Sequence, residues 1–122
     1  MSRPDQVSGI ETDKRPLLIY LTFANADEAS RIASTIVEES LVACVNILGN
    51  ATSIYRWEGK LRRDAEVVAI AKTTSAQLEQ LVERIRALHS YQTPCVVALP
   101  MAGGNEIFLN WIKSQAGQGS PA

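Results

Sequence analysis

The 122-residue chain has few of the side chains that build metal and redox centres. It contains one histidine and two cysteines, Cys44 and Cys95, and no Cys-x-x-Cys motif. A four-ligand zinc site within one chain is therefore excluded, because such a site needs four cysteine or histidine ligands. The cysteines lie far apart, and the start of the chain does not resemble a signal peptide. We therefore expect reduced thiols and a cytoplasmic location.

Long apolar runs and a dominant charge are also missing. The longest apolar stretch, residues 95–102, is far shorter than the ~20 residues of a membrane-spanning helix. Twelve basic and thirteen acidic residues leave a formal charge of -1. No global field attracts such a chain to nucleic acid or to an anionic membrane, and we expect neither as a partner.

The 46% of hydrophobic residues predicts one packed domain. This domain covers residues 16–115. Polar residues, glycine and proline at the two ends predict disordered tails over residues 1–15 and 116–122.

Four apolar segments predict strands, and these cover residues 17–23, 44–57, 61–73 and 96–99. Gly49-Asn50 predicts a bulge or bend in the second strand. The short Glu58-Gly59-Lys60 connection predicts that the second and third strands form a long hairpin.

Apolar residues at helical spacing predict two amphipathic helices, over residues 26–40 and 78–89. Both are preceded by residues in the form of a capping box, namely Asn25 with Glu28 and Thr74 with Gln77. Asn105 predicts the start of a short third helix. Its predicted buried face carries Phe108, Trp111 and Ile112.

The predicted order βαββαβ is typical of the ferredoxin-like α+β sandwich, in which two helices cover one face of a four-stranded antiparallel sheet. The other face stays uncovered. An apolar open face on a domain of this size is costly, so we expect oligomerisation.

This fold hosts many functions, so specific residues must decide between them. An RNA-recognition module would carry stacking aromatic rings in the third strand, and residues 63–70 contain none. A copper chaperone would present paired cysteines in its first loop, and residues 23–27 contain none. Both classes are excluded.

The hairpin segment 53–60 concentrates two aromatic rings and three charges. Alternation along a strand places Ser53, Tyr55 and Trp57 on one face. Two interpretations stay open, because the rings either pack against a neighbouring subunit or form a wall of a ligand cleft. Lys72 either emerges at the sheet edge or pairs with an acid such as Glu58.

His89, Tyr91 and Cys95 lie in one segment after the second helix. The histidine either satisfies carbonyls at the helix end or ligates a metal through a neutral nitrogen. Any missing ligands then come from elsewhere in the fold or from another subunit. No residue beside Cys44 or Cys95 in sequence lowers a thiol pKa, so both are predicted to be small hydrophobic residues rather than nucleophiles.

Several motifs together resemble one known family, the CutA divalent-cation-tolerance proteins, over residues 17–114. The motifs are LVACVNI at 41–47, SIYRWEGK at 53–60, KTT at 72–74, HSYQTP at 89–94 and LNWI at 109–112. The resemblance implies a ferredoxin-like fold assembled as a tight homotrimer. It also implies a small cytoplasmic protein that is not an enzyme and is associated with tolerance to divalent metals, notably copper.

The resemblance further implies clefts between subunits, lined by Tyr55, Trp57, Glu58, Lys72, His89 and Tyr91. The chain departs from the family pattern at Ser90, where proline is usual, and at Cys95, where an acid is common. Leu21-Thr22 and Leu88 stand in the neighbourhoods where members with assigned copper ligands have cysteine and histidine. The metal-ligating residues expected here are thus His89 and Cys95, the latter as a thiolate that favours Cu(I).

The leading hypothesis is a trimer of this chain that binds copper or another divalent metal weakly, or a small ligand, in its clefts. The alternative is a trimeric signalling module that senses a small anionic metabolite and is read by a partner protein. Basic residues near aromatic rings, Lys72, Arg56 and Lys60, motivate this alternative.

Overall fold

A computed structural model describes residues 14–117. The first half contains β1 (Pro16–Phe23), α1 (Ala26–Glu38) and β2 (Cys44–Trp57). The second half contains β3 (Lys60–Thr74), a 3₁₀ turn (Ser75–Gln77), α2 (Leu78–Leu88), β4 (Val96–Pro100) and α3 (Glu106–Gln115). No helix among the described residues is long and apolar enough to cross a membrane.

The four strands form one antiparallel sheet in the order β2-β3-β1-β4. The predicted βαββαβ order and the α+β class are confirmed. β1 is central, and its register joins Tyr20 to Ile70 on one side and to Val97 on the other. Side chains therefore alternate between two faces that run across three strands.

The first face of the sheet forms the core. Its residues are fully or almost fully buried beneath α1 and α2, and they include Ile19, Leu21, Phe23, Ala69 and Ala71. Ile32 and Ile36 of α1 and Leu81 and Ile85 of α2 complete this cluster. This four-residue spacing, with the three-residue steps from Ala29 to Ile32 and from Leu78 to Leu81, explains why both segments form helices that bury one side.

The second face, defined by Leu18, Tyr20, Ile70, Val97 and Leu99, is less covered. Tyr20, Val97 and Leu99 are all exposed. The Lys72 Nζ lies 5.9 Å from the ring centroid of Phe108, so α3 approaches this face at one end. The sheet thus carries apolar side chains on both faces although its two long helices cover one.

The helix starts agree only partly with the prediction. Asn25 caps α1 as predicted, because its side chain accepts the Glu28 N–H at 2.8 Å. The Thr74–Gln77 capping box is wrong. Thr74 is buried at the end of β3 and makes no cap hydrogen bond, and a 3₁₀ turn intervenes before α2.

α3 also differs from the prediction in its buried side. Asn105 caps this helix as predicted by accepting the Ile107 N–H at 3.0 Å. Ile112 is fully buried, but Phe108 is 43% exposed and Trp111 is 40% exposed, so the predicted three-residue buried face is wrong. The two rings stack on each other at 5.5 Å instead.

The predicted tails fall mainly outside the described residues. At the C-terminal end, however, Ala116 is buried and the Gly117 N–H donates to the Ser40 carbonyl at 2.6 Å. The domain therefore extends slightly past the predicted boundary.

The β2–β3 hairpin continues beyond the sheet as a two-stranded arm, residues 51–66. β1 ends where Phe23 pairs with Val67, and a bulge between Ile47 and Gly49 bends β2 nearby, as predicted. Beyond that point the arm extends about 20 Å, at ~3.3 Å per residue. Glu58 and Gly59 form its turn with φ of 52° and 78°, the backbone that a type I′ turn requires.

Glu58 adopts this left-handed backbone although asparagine and glycine favour it. We expect Glu58→Asn to raise the free energy of unfolding by about 0.5–1 kcal/mol in chemical denaturation. Glu58→Gln is the matched control, because it removes the charge and keeps the strain. An equal gain from both variants contradicts the backbone explanation.

Candidate functional site

His89 anchors the segment that follows α2, and its side chain is fully buried. Nε2 lies 2.8 Å from the Thr22 carbonyl of β1, and Nδ1 accepts the Tyr91 N–H at 3.0 Å. A carbonyl only accepts and an N–H only donates, so the ring is neutral with its proton on Nε2. The ring also stacks on Phe23 at 5.4 Å. Both nitrogens are thus used within the chain.

Glu28 holds the same segment from α1. Its buried carboxylate accepts the Ala24 N–H at 3.0 Å and the Ser90 N–H at 2.7 Å. Burial raises the pKa of this carboxyl, but the hydrogen bonds from Ser90 and Ala24 outweigh this effect and hold the pKa below its usual value. One ionised side chain therefore joins α1 to the loop before β4.

Tyr91 extends from this loop to the base of the arm. Its hydroxyl donates to Glu66 Oε2 at 2.9 Å, and the Ser53 hydroxyl donates to Glu66 Oε1 at 2.5 Å. Burial, reinforced by the Glu66 carboxylate, raises the pKa of Tyr91 to about 12. We name Glu66, Ser53 and Tyr91 the carboxylate cluster.

Two further groups border this cluster. The Tyr55 hydroxyl donates to Asp64, which alternates with Glu66 along β3. Cys95 is half-buried, and burial raises the pKa of its thiol, with the Glu66 charge adding to the effect and a Thr22 hydrogen bond opposing it. The thiol is thus protonated at neutral pH.

Lys72, Trp57 and Glu58 lie apart from the cluster within one chain. Lys72 pairs with Leu18, four residues from Thr22 along β1, which is about 13 Å in a strand. Its ammonium donates to Asn46 Oδ1. Trp57 and Glu58 are exposed at the arm turn, so Lys72 does not pair with Glu58 in the same chain.

Three residues of the site, Glu28, Ser53 and Glu66, were not predicted from the sequence to belong to it. Alternation along the hairpin places Ser53, Asp64 and Glu66 on one face, so the sequence pattern was sufficient to predict that these three side chains lie together. The bond between Glu66 and Tyr91 spans 25 residues and has no local signal.

The fold and the site define a ferredoxin-like α+β domain with a polar cluster where the hairpin leaves the sheet. Residues 17–115 match the family model described as CutA1 divalent ion tolerance protein. The chain belongs to this family.

Curated relatives and solved structures agree with this assignment. The divalent-cation tolerance protein CutA of Thermus thermophilus is 43% identical over 82% of this chain and 97% of its own length. A solved CutA1 structure from that species has a TM-score of 0.82, covering 84% of this chain and 99% of that one. The Oryza sativa CutA1 structure, at 40% identity, has a TM-score of 0.83 and covers 88% of this chain and 99% of that one.

The chain spans about half the length of the plant relatives it matches. The chloroplastic CutA of Arabidopsis thaliana is 42% identical over 80% of this chain but 54% of its own length. Relatives are thus named chloroplastic, and one Archaeoglobus fulgidus structure is described as periplasmic. These names do not support the cytoplasmic location, which stays a prediction.

The ionisation of Glu28 makes the free energy of unfolding depend on pH. Its folded pKa is depressed, so its stabilisation is present above about 4.5 and is lost as pH falls through the folded pKa. We expect Glu28→Gln to lower the free energy of unfolding by about 1–3 kcal/mol at pH 7 and by less at pH 3. Denaturation at both pH values measures this, with Glu38→Gln on the exposed side of α1 as control. An equal loss at both pH values contradicts the ionised clamp.

The hydrogen bond between Tyr91 and Glu66 can be detected by alkaline titration of the tyrosines. We expect the absorbance of phenolate to show one tyrosine ionising near pH 12, and Tyr91→Phe to remove that step. The raised pKa also means that the contribution of Tyr91 to stability is lost between about pH 10 and 12. If the missing step lies near pH 10, Tyr91 is not bound to Glu66 in solution.

Proposed function

We propose that this chain is a non-enzymatic homotrimer that acts in divalent-cation tolerance and binds a cation in clefts between its subunits. The observation that carries this proposal is the carboxylate cluster at the base of a protruding arm. Glu66 receives two hydroxyl donors there, and Asp64 and Glu28 add negative charge. Such a setting attracts cations.

The uncovered second face supports the assembly. Exposed apolar side chains continue from this face onto α3, and they comprise Tyr20, Val97, Leu99, Ile107, Phe108 and Trp111. A contiguous apolar surface of this kind favours burial against another copy. The arm supports the same conclusion, because a two-stranded hairpin alone is marginally stable in water.

Assembly also accounts for the scattered site residues. Within residues 14–117 of one chain, no three histidine, cysteine or acidic side chains are grouped as metal ligands. An arm that crosses to a neighbour would carry Trp57 and Glu58 to the cluster of another copy. The cleft then combines residues of two subunits.

The side-chain atoms that are available as metal ligands favour a cation bound by oxygen. His89 and Cys95 are poorly suited to hold copper here, because both nitrogens of His89 are engaged in hydrogen bonds and burial raises the pKa of the Cys95 thiol. Metals bind the free nitrogen of a neutral imidazole and the thiolate form of cysteine. Carboxylate and hydroxyl oxygens suit harder divalent cations such as Mn²⁺ or Mg²⁺.

The same contacts weigh against the other candidate functions. Three carboxylates, Glu66, Glu28 and Asp64, act on Tyr91, so an anionic metabolite would be repelled at this position. His89 has no free nitrogen with which to act as a base.

The assembly is tested on the second face. We expect native mass spectrometry to show three subunits and Leu99→Glu to give monomers, because the charge would be buried at the interface. Val37→Glu is the matched control, since Val37 is 39% exposed on α1 and Leu99 is 47% exposed on β4. A monomeric parent protein, or a trimer retained in Leu99→Glu, contradicts this interface.

Cation binding is tested separately on Glu66. We expect calorimetric titration with Mn²⁺ to show that Glu66→Gln weakens binding at least about tenfold while the trimer remains. Glu79→Gln, on the exposed side of α2, should leave binding unchanged. A trimer in which Glu66→Gln binds Mn²⁺ like the parent protein contradicts the cluster as the cation site, and tight binding of Cu⁺ lost in Cys95→Ser would move the site to Cys95.

A further inference from the structure

The arm, residues 51–66, separates its charges along one face. Alternation along β3 places Lys60, Arg62, Asp64 and Glu66 on the same side of the arm. The two cations lie towards the turn, and we call them the tip cations. The two acids lie towards the sheet, and we call them the base carboxylates. One face of the arm is therefore positive at its outer end and negative at its inner end.

These charges are not neutralised within one chain. Among residues 14–117, no ion pair contains a tip cation or a base carboxylate. Both tip cations and Asp64 are exposed, and Glu66 is half-buried. Lys60 and Glu66 are about 20 Å apart along β3, so the tip of an arm does not reach its own base.

The base carboxylates can accept further hydrogen bonds. Glu66 accepts the hydroxyls of Tyr91 and Ser53, one on each oxygen, and Asp64 accepts the hydroxyl of Tyr55. A carboxylate has about four lone-pair positions, so each group retains acceptor capacity. A guanidinium can use it through two parallel N–H bonds, and an ammonium through one or more of its three N–H groups. The base of the arm therefore suits cationic side chains from outside its own chain.

A neighbouring copy lies close to this charged face in the assembly proposed above. Ile70 and Glu66 lie on the same side of β3, so the charged face continues the second face of the sheet. The proposed trimer buries that second face. The positive end of one arm and the negative end of another are therefore the complementary surfaces nearest to the interface.

Two copies of such a charge pattern can pair in two ways. An antiparallel, two-fold pairing uses the tip and the base of both copies at once, and it produces a dimer. A head-to-tail pairing places the tip of each copy on the base of the next, and it can close into a ring. In a ring of three, every tip and every base is used once. The proposed trimer therefore selects the head-to-tail pairing.

We propose that Lys60 and Arg62 of each copy bind Asp64 and Glu66 of the next copy around the trimer, and that a divalent cation competes with them for these carboxylates. This inference rests on the proposed function, because it needs the trimer and the cation of that proposal. A cation on the carboxylate oxygens repels the tip cations, and by linkage the docked tip weakens cation binding by the same factor. Cation binding at one subunit thereby releases the arm of its neighbour.

The contact between copies is tested by a double-mutant cycle on Arg62→Gln and Glu66→Gln. Native mass spectrometry of mixed nitrogen-15-labelled and unlabelled trimers follows subunit exchange. We expect each single variant to speed exchange about fivefold and the double variant to exchange no faster than either one. In one chain these residues are about 13 Å apart along β3, beyond the Debye length of about 8 Å, so such coupling arises between copies. A double variant that shows the product of the two single effects overturns the contact.

The competition is tested by calorimetric titration of Mn²⁺. We expect Arg62→Gln to tighten Mn²⁺ binding about fivefold, because the competing cation is removed. Arg63→Gln is the matched control, since Arg63 is equally charged but pairs with Ile54 on the opposite face of the arm. It should leave Mn²⁺ binding unchanged. Unchanged binding in Arg62→Gln, or an equal gain in both variants, overturns the competition.

The results for the parent protein separate this inference from the proposed function. A monomeric parent protein overturns the proposed assembly and the inference with it. A trimer that shows the Arg62–Glu66 coupling but does not bind Mn²⁺ overturns the cation site and the competition. A trimer that binds Mn²⁺ through Glu66 but shows no coupling to Arg62 leaves the proposed function intact and overturns the inference alone.

Discussion

The site depends on the two hydrogen bonds of the buried His89 ring. One of them ties the ring to the Thr22 carbonyl at the end of the central strand, and the other orients the Tyr91 N–H. Glu28 adds a third tie through the Ser90 N–H. Because the His89 ring and the Glu28 carboxylate are buried, a lost partner would leave one of these polar groups unsatisfied, and the loop has little freedom to move.

Tyr91 connects this fixed loop to the arm. Its hydroxyl contacts Glu66, which also receives the Ser53 hydroxyl, so the loop before β4 is joined to both strands of the hairpin. The single histidine of the chain is thereby a positioning residue in our account. The chemistry of the cluster comes from oxygen atoms.

Much of the fold was readable from the sequence because it rests on local patterns. Strand and helix periodicities, the Asn25 cap and the bulge at Gly49 all depend on neighbouring residues. The errors arose where tertiary contacts decide the outcome. Thr74 is drawn into the end of β3 instead of capping a helix, and Phe108 stacks on Trp111 over a largely open face.

The site was less readable for the same reason. His89 and Tyr91 were recognised, yet their partners Thr22, Glu28 and Glu66 are distant in sequence, so the sequence left metal ligation by His89 open. The environment of Cys44 was also invisible, since Lys72 lies 28 residues away and meets it only through the strand register. Neighbours in sequence are a poor guide to the charge around a thiol in a sheet.

The central claim is that His89 is a neutral clamp and not a metal ligand. Nitrogen-15 NMR of the imidazole, recorded with and without one equivalent of Zn²⁺ or Cu⁺, tests it most directly. The account predicts a proton on Nε2, an acceptor shift for Nδ1, and no change when metal is added. A proton on Nδ1 in the metal-free protein, or a metal-induced shift of either nitrogen, would contradict it.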